Sequence, residues 1–128
     1  MILYKNTTRG FQNDVDTNQI ADNVENCFRV RLGRRLNPSE KSAINNSMEF
    51  MSKIIRRADI SDTCGVLLEY MVPSTSNRVD FLVSGEDEQG NKNFIIVELK
   101  QWGKAEATDK DGVVKTFLGG GINETTHP

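Results

Sequence analysis

The spacing of the hydrophobic residues changes near residue 60, and this change limits the folds that the chain can adopt. Before that point apolar residues recur every three or four positions, as the buried face of an α-helix requires. After it they form short runs, such as 65–72 and 94–97, bounded by Gly, Pro, Asn and Ser, a pattern typical of β-strands. The sequence therefore predicts an α/β (α+β) chain in which helices come first and strands follow.

Two helices are predicted in the first half of the chain. The first covers about 11–33, and Gly33 is suited to end it because glycine adopts a left-handed backbone at little steric cost. The second covers about 38–57, where Asn37 is a good N-cap and Glu40 can reach back to the cap amide. The apolar faces of these helices are formed by Ile20, Val24, Cys27, Phe28, Ile44, Met48, Met51 and Ile55.

Three strands are predicted in the second half, at about 66–72, 78–84 and 93–100. The connections between them are short, which predicts an antiparallel meander. Alternation along the second strand places two sets of side chains on opposite faces of the sheet. The first set is Val79, Phe81 and Val83, and the second is Asp80, Leu82 and Ser84.

The residues after Trp102 carry weaker patterns. The segment 109–112 resembles part of a calcium loop, but its glycine comes too early for an EF-hand, so we interpret it as a turn. The three glycines at 119–121 lack the Lys and Ser/Thr that would follow in a phosphate-binding loop, and we interpret them as a flexible hinge. The 128 residues suit one compact domain, and the proline at position 128 suggests a domain cut short at its C-terminal end.

Composition excludes several classes of function. The formal net charge is −2, which does not by itself indicate a nucleic-acid-binding protein. Cys27 and Cys64 have no metal-binding spacing and His127 stands alone, so a zinc site or a Cys-His catalytic pair is not expected. The sequence has no apolar run of the roughly 18 residues that a membrane span needs and no signal peptide, so we expect a cytoplasmic protein without a membrane partner.

Three ionisable residues interrupt the predicted strands. Asp80 lies within the second strand although Asp is depleted in strands, and Glu98 and Lys100 project from one face of the third. If the hairpin brings Asp80 to that face, the two carboxylates repel each other unless a cation joins them. Mg²⁺ (or Mn²⁺) would join them and could activate water against a phosphodiester, while Lys100 stabilises the developing charge.

A simpler interpretation of the same residues is a set of solvated ion pairs. Asp80 could pair with Arg78 or with Lys100 across the strands, and Glu98 and Lys100 could face water. The apolar runs around them favour burial, and buried charges usually have partners or metals. The arginines at 29–35 are interpreted as solvated helix faces when they are taken alone.

An Asp on one strand followed by Glu-x-Lys on the next resembles the PD-(D/E)XK nuclease superfamily. Asp80 matches the first part of this pattern and 98–100 the second, while Val79 stands where the superfamily usually has Pro. The resemblance implies one domain over 1–128 with a restriction-endonuclease-like core. In that core, N-terminal helices pack on a mixed sheet that begins with a three-stranded antiparallel meander.

The resemblance also implies a function and its residues. The expected activity is hydrolysis of phosphodiester bonds by a Mg²⁺- or Mn²⁺-dependent nuclease, with DNA a better expected substrate than RNA. The alternative is a catalytically silent module of the same fold that binds nucleic acid or partner proteins. The metal ligands implied are Asp80, Glu98 and Leu99, and the catalytic residues are Asp80, Glu98, Lys100 and Glu69.

Other residues carry over from the superfamily less directly. Glu69 could add a third acidic ligand, and Glu25 on the first helix is a rival for that place. Arg78 could neutralise a phosphate, Gln101 could contact the phosphate backbone, and Trp102 could stack on a base or cap the core.

The chain is similar in particular to a bacterial group in which an N-terminal nuclease-like domain precedes a Schlafen-type helicase-like ATPase. The matching stretches include LGRRLNPSE, LLEYMVPSTSNRVDFLVSG, IVELKQW and TDKDGVVKTFLGGG. In that group the chain continues into another helix and then the ATPase, neither of which is present here. The exposed edge that a missing helix would leave could support a homodimer.

Overall fold

The computed structural model describes residues 4–126, so His127, which the sequence leaves without a partner, and Pro128 lie outside the described residues. The described chain combines α-helices with two antiparallel sheets, which confirms the α+β composition. The elements are β1 Tyr4–Thr7, α1 Thr8–Asp16, α2 Ile20–Leu32, α3 Pro38–Arg57, β2 Gly65–Met71, β3 Arg78–Glu86, β4 Lys92–Val97, β5 Ala105–Ala107, β6 Val113–Leu118 and β7 Gly121–Thr126.

The single helix predicted over 11–33 is wrong, because two helices occupy this stretch. The chain leaves α1 at Thr17 and passes through Asn18, whose φ of 57° is left-handed, before α2 begins at Ile20. Asparagine tolerates this conformation better than most residues, so Asn18 provides the turn between the helices. The predicted end is confirmed, since Gly33 caps α2 with a left-handed φ of 64°.

The second predicted helix is confirmed as α3, and its N-terminus has the expected cap. The Asn37 side chain accepts a hydrogen bond from the Glu40 backbone N–H at 2.8 Å, and the Glu40 carboxylate accepts one from the Asn37 N–H at 2.8 Å. This reciprocal pair satisfies two backbone donors that the helix itself leaves unpaired. The buried face of α3 contains Met48, Met51, Ser52 and Ile55.

The first sheet has the order β1-β2-β3-β4, and each pair in it is antiparallel. The predicted meander is therefore confirmed for β2 to β4. The prediction of a mixed sheet is wrong for residues 4–126, because every strand pair described there is antiparallel. The strand β1 was not predicted; it pairs with β2 and supplies Tyr4 to the core.

The main core lies between the helices and one face of this sheet. Phe11 and Phe81 meet edge to face at its centre, with ring centroids 5.3 Å apart, and both side chains are fully buried. Such a pair adds about 0.5–1.5 kcal/mol beyond the burial of its apolar area. The other large, fully buried apolar side chains are Ile20, Val24, Phe28, Ile55, Val66 and Leu68.

The C-terminal residues form a second antiparallel sheet of β5, β6 and β7. The flexible hinge predicted at 119–121 is wrong: Gly119 and Gly120 form a two-residue turn between β6 and β7, with φ of 60° and 88°. Two consecutive positive φ values suit a type I′ hairpin turn, which matches the twist of the strands it joins. The turn predicted at 109–112 is confirmed between β5 and β6, where Gly112 has a φ of 67°.

Within residues 4–126, none of the helices combines the length and the apolar character needed to cross a bilayer.

Candidate metal and nucleic-acid site

A cleft of about 160 Å³ opens between α2, α3 and the ends of the central strands. Its apolar wall is contributed by Val24, Ile44, Met48 and Leu68. Its polar lining comes from Ser47, Glu69, Asp80 and Gln101. Two carboxylates thus face a small, mostly apolar space. Poor solvation in such a space can shift the pKa of an ionisable group.

The strand register places the two carboxylates of the cleft opposite each other. Leu68 pairs with Phe81 and Tyr70 pairs with Val79, so Glu69 of β2 lies across from Asp80 of β3. The negative charge of Asp80 is close enough to raise the pKa of Glu69.

Glu69 adopts a backbone conformation that is rare for its residue type. Its φ is 54°, and the regular pairing of β2 with β3 is interrupted at this one residue. A non-glycine residue in the left-handed region costs on the order of 1–3 kcal/mol and persists only where its surroundings impose it. Such strain is concentrated at functional sites, so it makes Glu69 a candidate functional residue.

The Glu69 carboxyl is poorly solvated, with only 18% of its side chain exposed. Burial raises the pKa of this group, the Arg78 guanidinium opposes that shift, and the negative charge of Asp80 adds to it. Arg78 Nε lies 2.5 Å from Glu69 Oε2, yet this buried oxygen accepts no hydrogen bond of acceptable geometry. Glu69 therefore has an ion-pair partner but keeps an unsatisfied oxygen in the cleft.

Asp80 connects the central strands to the segment after β4. Its Oδ2 accepts a hydrogen bond of 3.0 Å from the backbone N–H of Leu99. The β3–β4 pairing ends at Phe81 and Val97, so the Asp80 carboxylate takes the place of the next backbone partner. The carboxylate thus fixes the path of the chain beyond β4, and Leu99 packs against the core.

Glu98 and Lys100 lie outside the strand in which they were predicted, because β4 ends at Val97 and not at 100. The Lys100 Nζ contacts Glu98 Oε1 at 2.6 Å, and both side chains are partly exposed. The simpler interpretation of the sequence had Glu98 and Lys100 facing water, and their pairing with each other was not predicted. The pairing that it did predict, of Asp80 with Arg78 or Lys100, is wrong. Continuing the β3–β4 register would place Glu98 opposite Asp80, but Glu98 does not line the cleft.

The remaining predicted residues divide into those at the cleft and those away from it. Gln101 lines the cleft, and its amide donates hydrogen bonds to the Ala43 carbonyl and to Ser47 Oγ, at 2.9 and 3.1 Å. Trp102 is half-buried next to it. Glu25 pairs with Lys41 at 2.5 Å and does not line the cleft, so it is not brought together with Asp80.

Arg34 and Arg78 form a basic rim beside the cleft, of which sequence reasoning singled out Arg78 and missed Arg34. Arg34 and Arg78 both act electrostatically on Glu69, favouring its charged form. Arg34 is held by hydrogen bonds of 3.0 and 3.2 Å to the Glu40 carboxylate and lies over the Phe28 ring, 5.1 Å from its centroid. The signal in the sequence was the position of Arg34 directly after the glycine that ends α2, which carries it beyond the helix toward the strands.

The residues at the cleft fit a Mg²⁺ ion. Mg²⁺ is usually bound by one or two carboxylates, with phosphate oxygens and waters completing its octahedron. Glu69 and Asp80 provide such a pair, and Glu69 Oε2 accepts no hydrogen bond although Arg78 lies beside it. Residues 4–126 contain no cluster of three or more His, Cys, Asp or Glu side chains placed to hold an ion, so Glu98 is not part of a preformed set.

Comparison of the chain with protein-family models, with curated proteins and with solved structures gives no match in any of the three.

The raised pKa of Glu69 predicts how stability depends on pH. The folded state binds this proton more tightly than the unfolded chain, so the carboxyl stabilises the fold at low pH, below the ordinary value of 4.5. That contribution is lost as the pH rises through the folded-state pKa. Glutamine does not ionise, so we expect Glu69→Gln to remove this loss. Between pH 4 and pH 7 the free energy of unfolding should then fall less in the variant than in the wild type.

Urea unfolding of the wild type and the variant at several pH values measures this difference. Glu88→Gln, in the exposed loop between β3 and β4, is the control and should keep the wild-type pH profile. A Glu69→Gln profile that parallels the wild type would show that burial of this carboxyl is not costly.

Proposed function

We propose that this chain is a metal-dependent nuclease module that hydrolyses phosphodiester bonds of nucleic acid, with DNA preferred to RNA. The observation that supports the proposal is the pair of opposed carboxylates, Glu69 and Asp80, in a cleft beside arginine side chains. The resemblance of Asp80 and Glu98-Leu99-Lys100 to the PD-(D/E)XK pattern points the same way. We therefore also propose that the fold is restriction-endonuclease-like and that the chain is a member of this superfamily.

Asp80 is the central ligand in this proposal. Glu69 lies opposite it on one side, and the 98–100 segment is hydrogen-bonded to it on the other through Leu99. Glu98 would become the third carboxylate ligand once it binds the ion in place of Lys100. When bound, Mg²⁺ or Mn²⁺ would polarise the phosphate and lower the pKa of the attacking water.

The other residues act on the substrate. Arg34 and Arg78 are partly exposed beside the acidic pair, so their free N–H groups can bind phosphate oxygens and offset the charge of the carboxylates. Lys100, released from Glu98, would carry its ammonium group to the charge that develops on the phosphate oxygens. Gln101 positions this segment against α3 through its two amide hydrogen bonds.

Metal binding should stabilise the folded protein. An ion that binds only the native state adds about 2.7 kcal/mol at a concentration one hundred times its Kd. We expect MnCl₂ or MgCl₂ to raise the Tm of the wild type by several degrees and to leave Asp80→Asn unchanged. Asparagine keeps an acceptor for the Leu99 N–H, so this variant retains the local fold.

The control is Glu86→Gln, an exposed carboxylate at the far end of the same strand. It should respond to the metal as the wild type does. An equal Tm shift in Asp80→Asn would place the ion elsewhere and remove Asp80 as a ligand.

Cleavage tests the activity itself. With Mg²⁺ or Mn²⁺ the wild type should nick plasmid DNA, and Asp80→Asn and Lys100→Ala should each lower the rate by on the order of 10²-fold or more, as removal of one charge-stabilising group does elsewhere. Glu86→Gln and Lys5→Ala, which change exposed residues of β3 and β1, should cut at the wild-type rate. Full cleavage by Asp80→Asn would defeat the proposal.

A second candidate function is a nucleic-acid-binding module that does not cleave. The observation that favours it is the Glu98–Lys100 ion pair, which keeps two of the proposed catalytic groups engaged with each other. The same arginine rim would then bind phosphates without a metal. Partner proteins are a further class of ligand for such a module.

The rim predicts how binding changes with salt and mutation. Arg34→Ala and Arg78→Ala should each weaken DNA binding for all sequences and reduce the slope of log K against log salt by about one. Arg57→Ala, at the exposed end of α3, is the matched control and should leave the slope unchanged. Metal-independent gel shifts without cleavage would select this candidate over the nuclease, and unchanged slopes for both rim variants would exclude the rim as the phosphate contact.

A further inference from the structure

The edge strand β4 exposes an unbroken apolar segment. Phe94, Ile95 and Ile96 are 65%, 64% and 53% exposed, although their side chains alternate between the two faces of the sheet. On one side β4 pairs with β3, and on its other side no strand described within residues 4–126 is paired with it. The strand therefore presents both free backbone groups and apolar side chains along the same edge.

Edge strands are normally protected against pairing with another chain. The usual devices are a proline, a bulge, a charged side chain within the strand or a covering helix. None of the first three interrupts 93–97, and charged residues stand only at the two ends, Lys92 and Glu98. When two such strands pair antiparallel, the apolar centres face each other and the positive end of each strand meets the negative end of the other. The strand is therefore complementary to a second copy of itself.

We propose that β4 pairs antiparallel with β4 of a second copy of this chain, about a two-fold axis at Ile95. In this register Phe94 lies opposite Ile96 of the second copy, and Lys92 lies opposite Glu98. The two four-stranded sheets then join into one continuous sheet. The interface is isologous and closed, as two-fold pairing requires.

The charges select this register over its neighbours. In an antiparallel pair, hydrogen-bonded and non-hydrogen-bonded residue pairs alternate along the strands. A two-fold axis must therefore pass through such a pair and not between two of them. Moving the axis to the next residue shifts the partner of every residue by two positions. Moving the axis to Ile96 would place Lys92 opposite Lys100, and moving it to Phe94 would place Lys92 opposite Ile96. Only the axis at Ile95 pairs Phe94, Ile95 and Ile96 among themselves and sets each charge opposite its opposite, with Asn93 facing Val97 between them.

The proposal does not depend on nuclease activity. In the single chain Glu98 is bound by Lys100 at 2.6 Å, so Lys92 of the second copy would compete with Lys100 for the same carboxylate. Light scattering and sedimentation therefore test the pairing separately from any assay of cleavage.

The first experiment compares the mass in solution of three proteins up to about 0.1 mM, a range that reveals micromolar dimers. The wild type should be dimeric, and Ile95→Lys should be monomeric because it places two ammonium groups at the axis. Ile54→Lys, on α3 and 54% exposed, is the matched control and should remain dimeric. Circular dichroism and Tm verify that each variant is folded.

The second experiment tests the register. Lys92→Glu should weaken the dimer by roughly tenfold, because both ends of the interface then oppose like charges. The double variant Lys92→Glu, Glu98→Lys should restore it, since the two charges are exchanged. A wild type that stays monomeric at about 0.1 mM, a dimer that survives Ile95→Lys, or a double variant no tighter than the single one would overturn the proposal. If the wild type stays monomeric, any strand that pairs with the β4 edge must come from a partner other than a second copy.

Discussion

The register between β2 and β3 is the constraint on which the candidate site depends. Leu68 and Phe81 face each other across these strands, both are buried, and Phe81 also packs against Phe11. A slip of one residue would turn these side chains away from the core and expose them to water. Apolar burial therefore locks the register, and the locked register in turn sets Glu69 opposite Asp80 at the rim of the core.

Packing of the core at Leu68 is followed by backbone strain and poor solvation at the next residue, Glu69. Glu69 is left-handed, largely buried, and has a raised pKa, all within one residue of the well-packed Leu68. Arg78 offsets part of the charge but leaves a carboxylate oxygen without a hydrogen bond. Strain and unsatisfied charge together are hard to explain by stability alone, because an apolar residue with a regular backbone would serve the sheet better.

Those parts of the fold with local causes could be predicted from the sequence. The capping box of α3 and the glycine that ends α2 act within a few residues, and the meander follows from short loops. The break at Asn18 was missed because neither Gly nor Pro stands between Val15 and Ile20 to mark it. The strand β1 was missed because four residues of the terminus carry no pattern without their partner β2. In the site, Asp80 could be located, but the end of β4 before Glu98 depends on a tertiary hydrogen bond to Leu99.

That hydrogen bond also bears on the choice between cleavage and binding. Asp80 holds the backbone of Leu99, which lies between Glu98 and Lys100. The side chains of these two neighbours remain partly exposed. An exposed ion pair contributes little to stability, typically about 0–1 kcal/mol, so its two members can be separated at low cost. In the proposed mechanism, a divalent cation held by Glu69 and Asp80 would attract the Glu98 carboxylate and repel the Lys100 ammonium. Lys100 would then be free for the substrate, so metal binding would be the step that separates a cleaving site from a binding one.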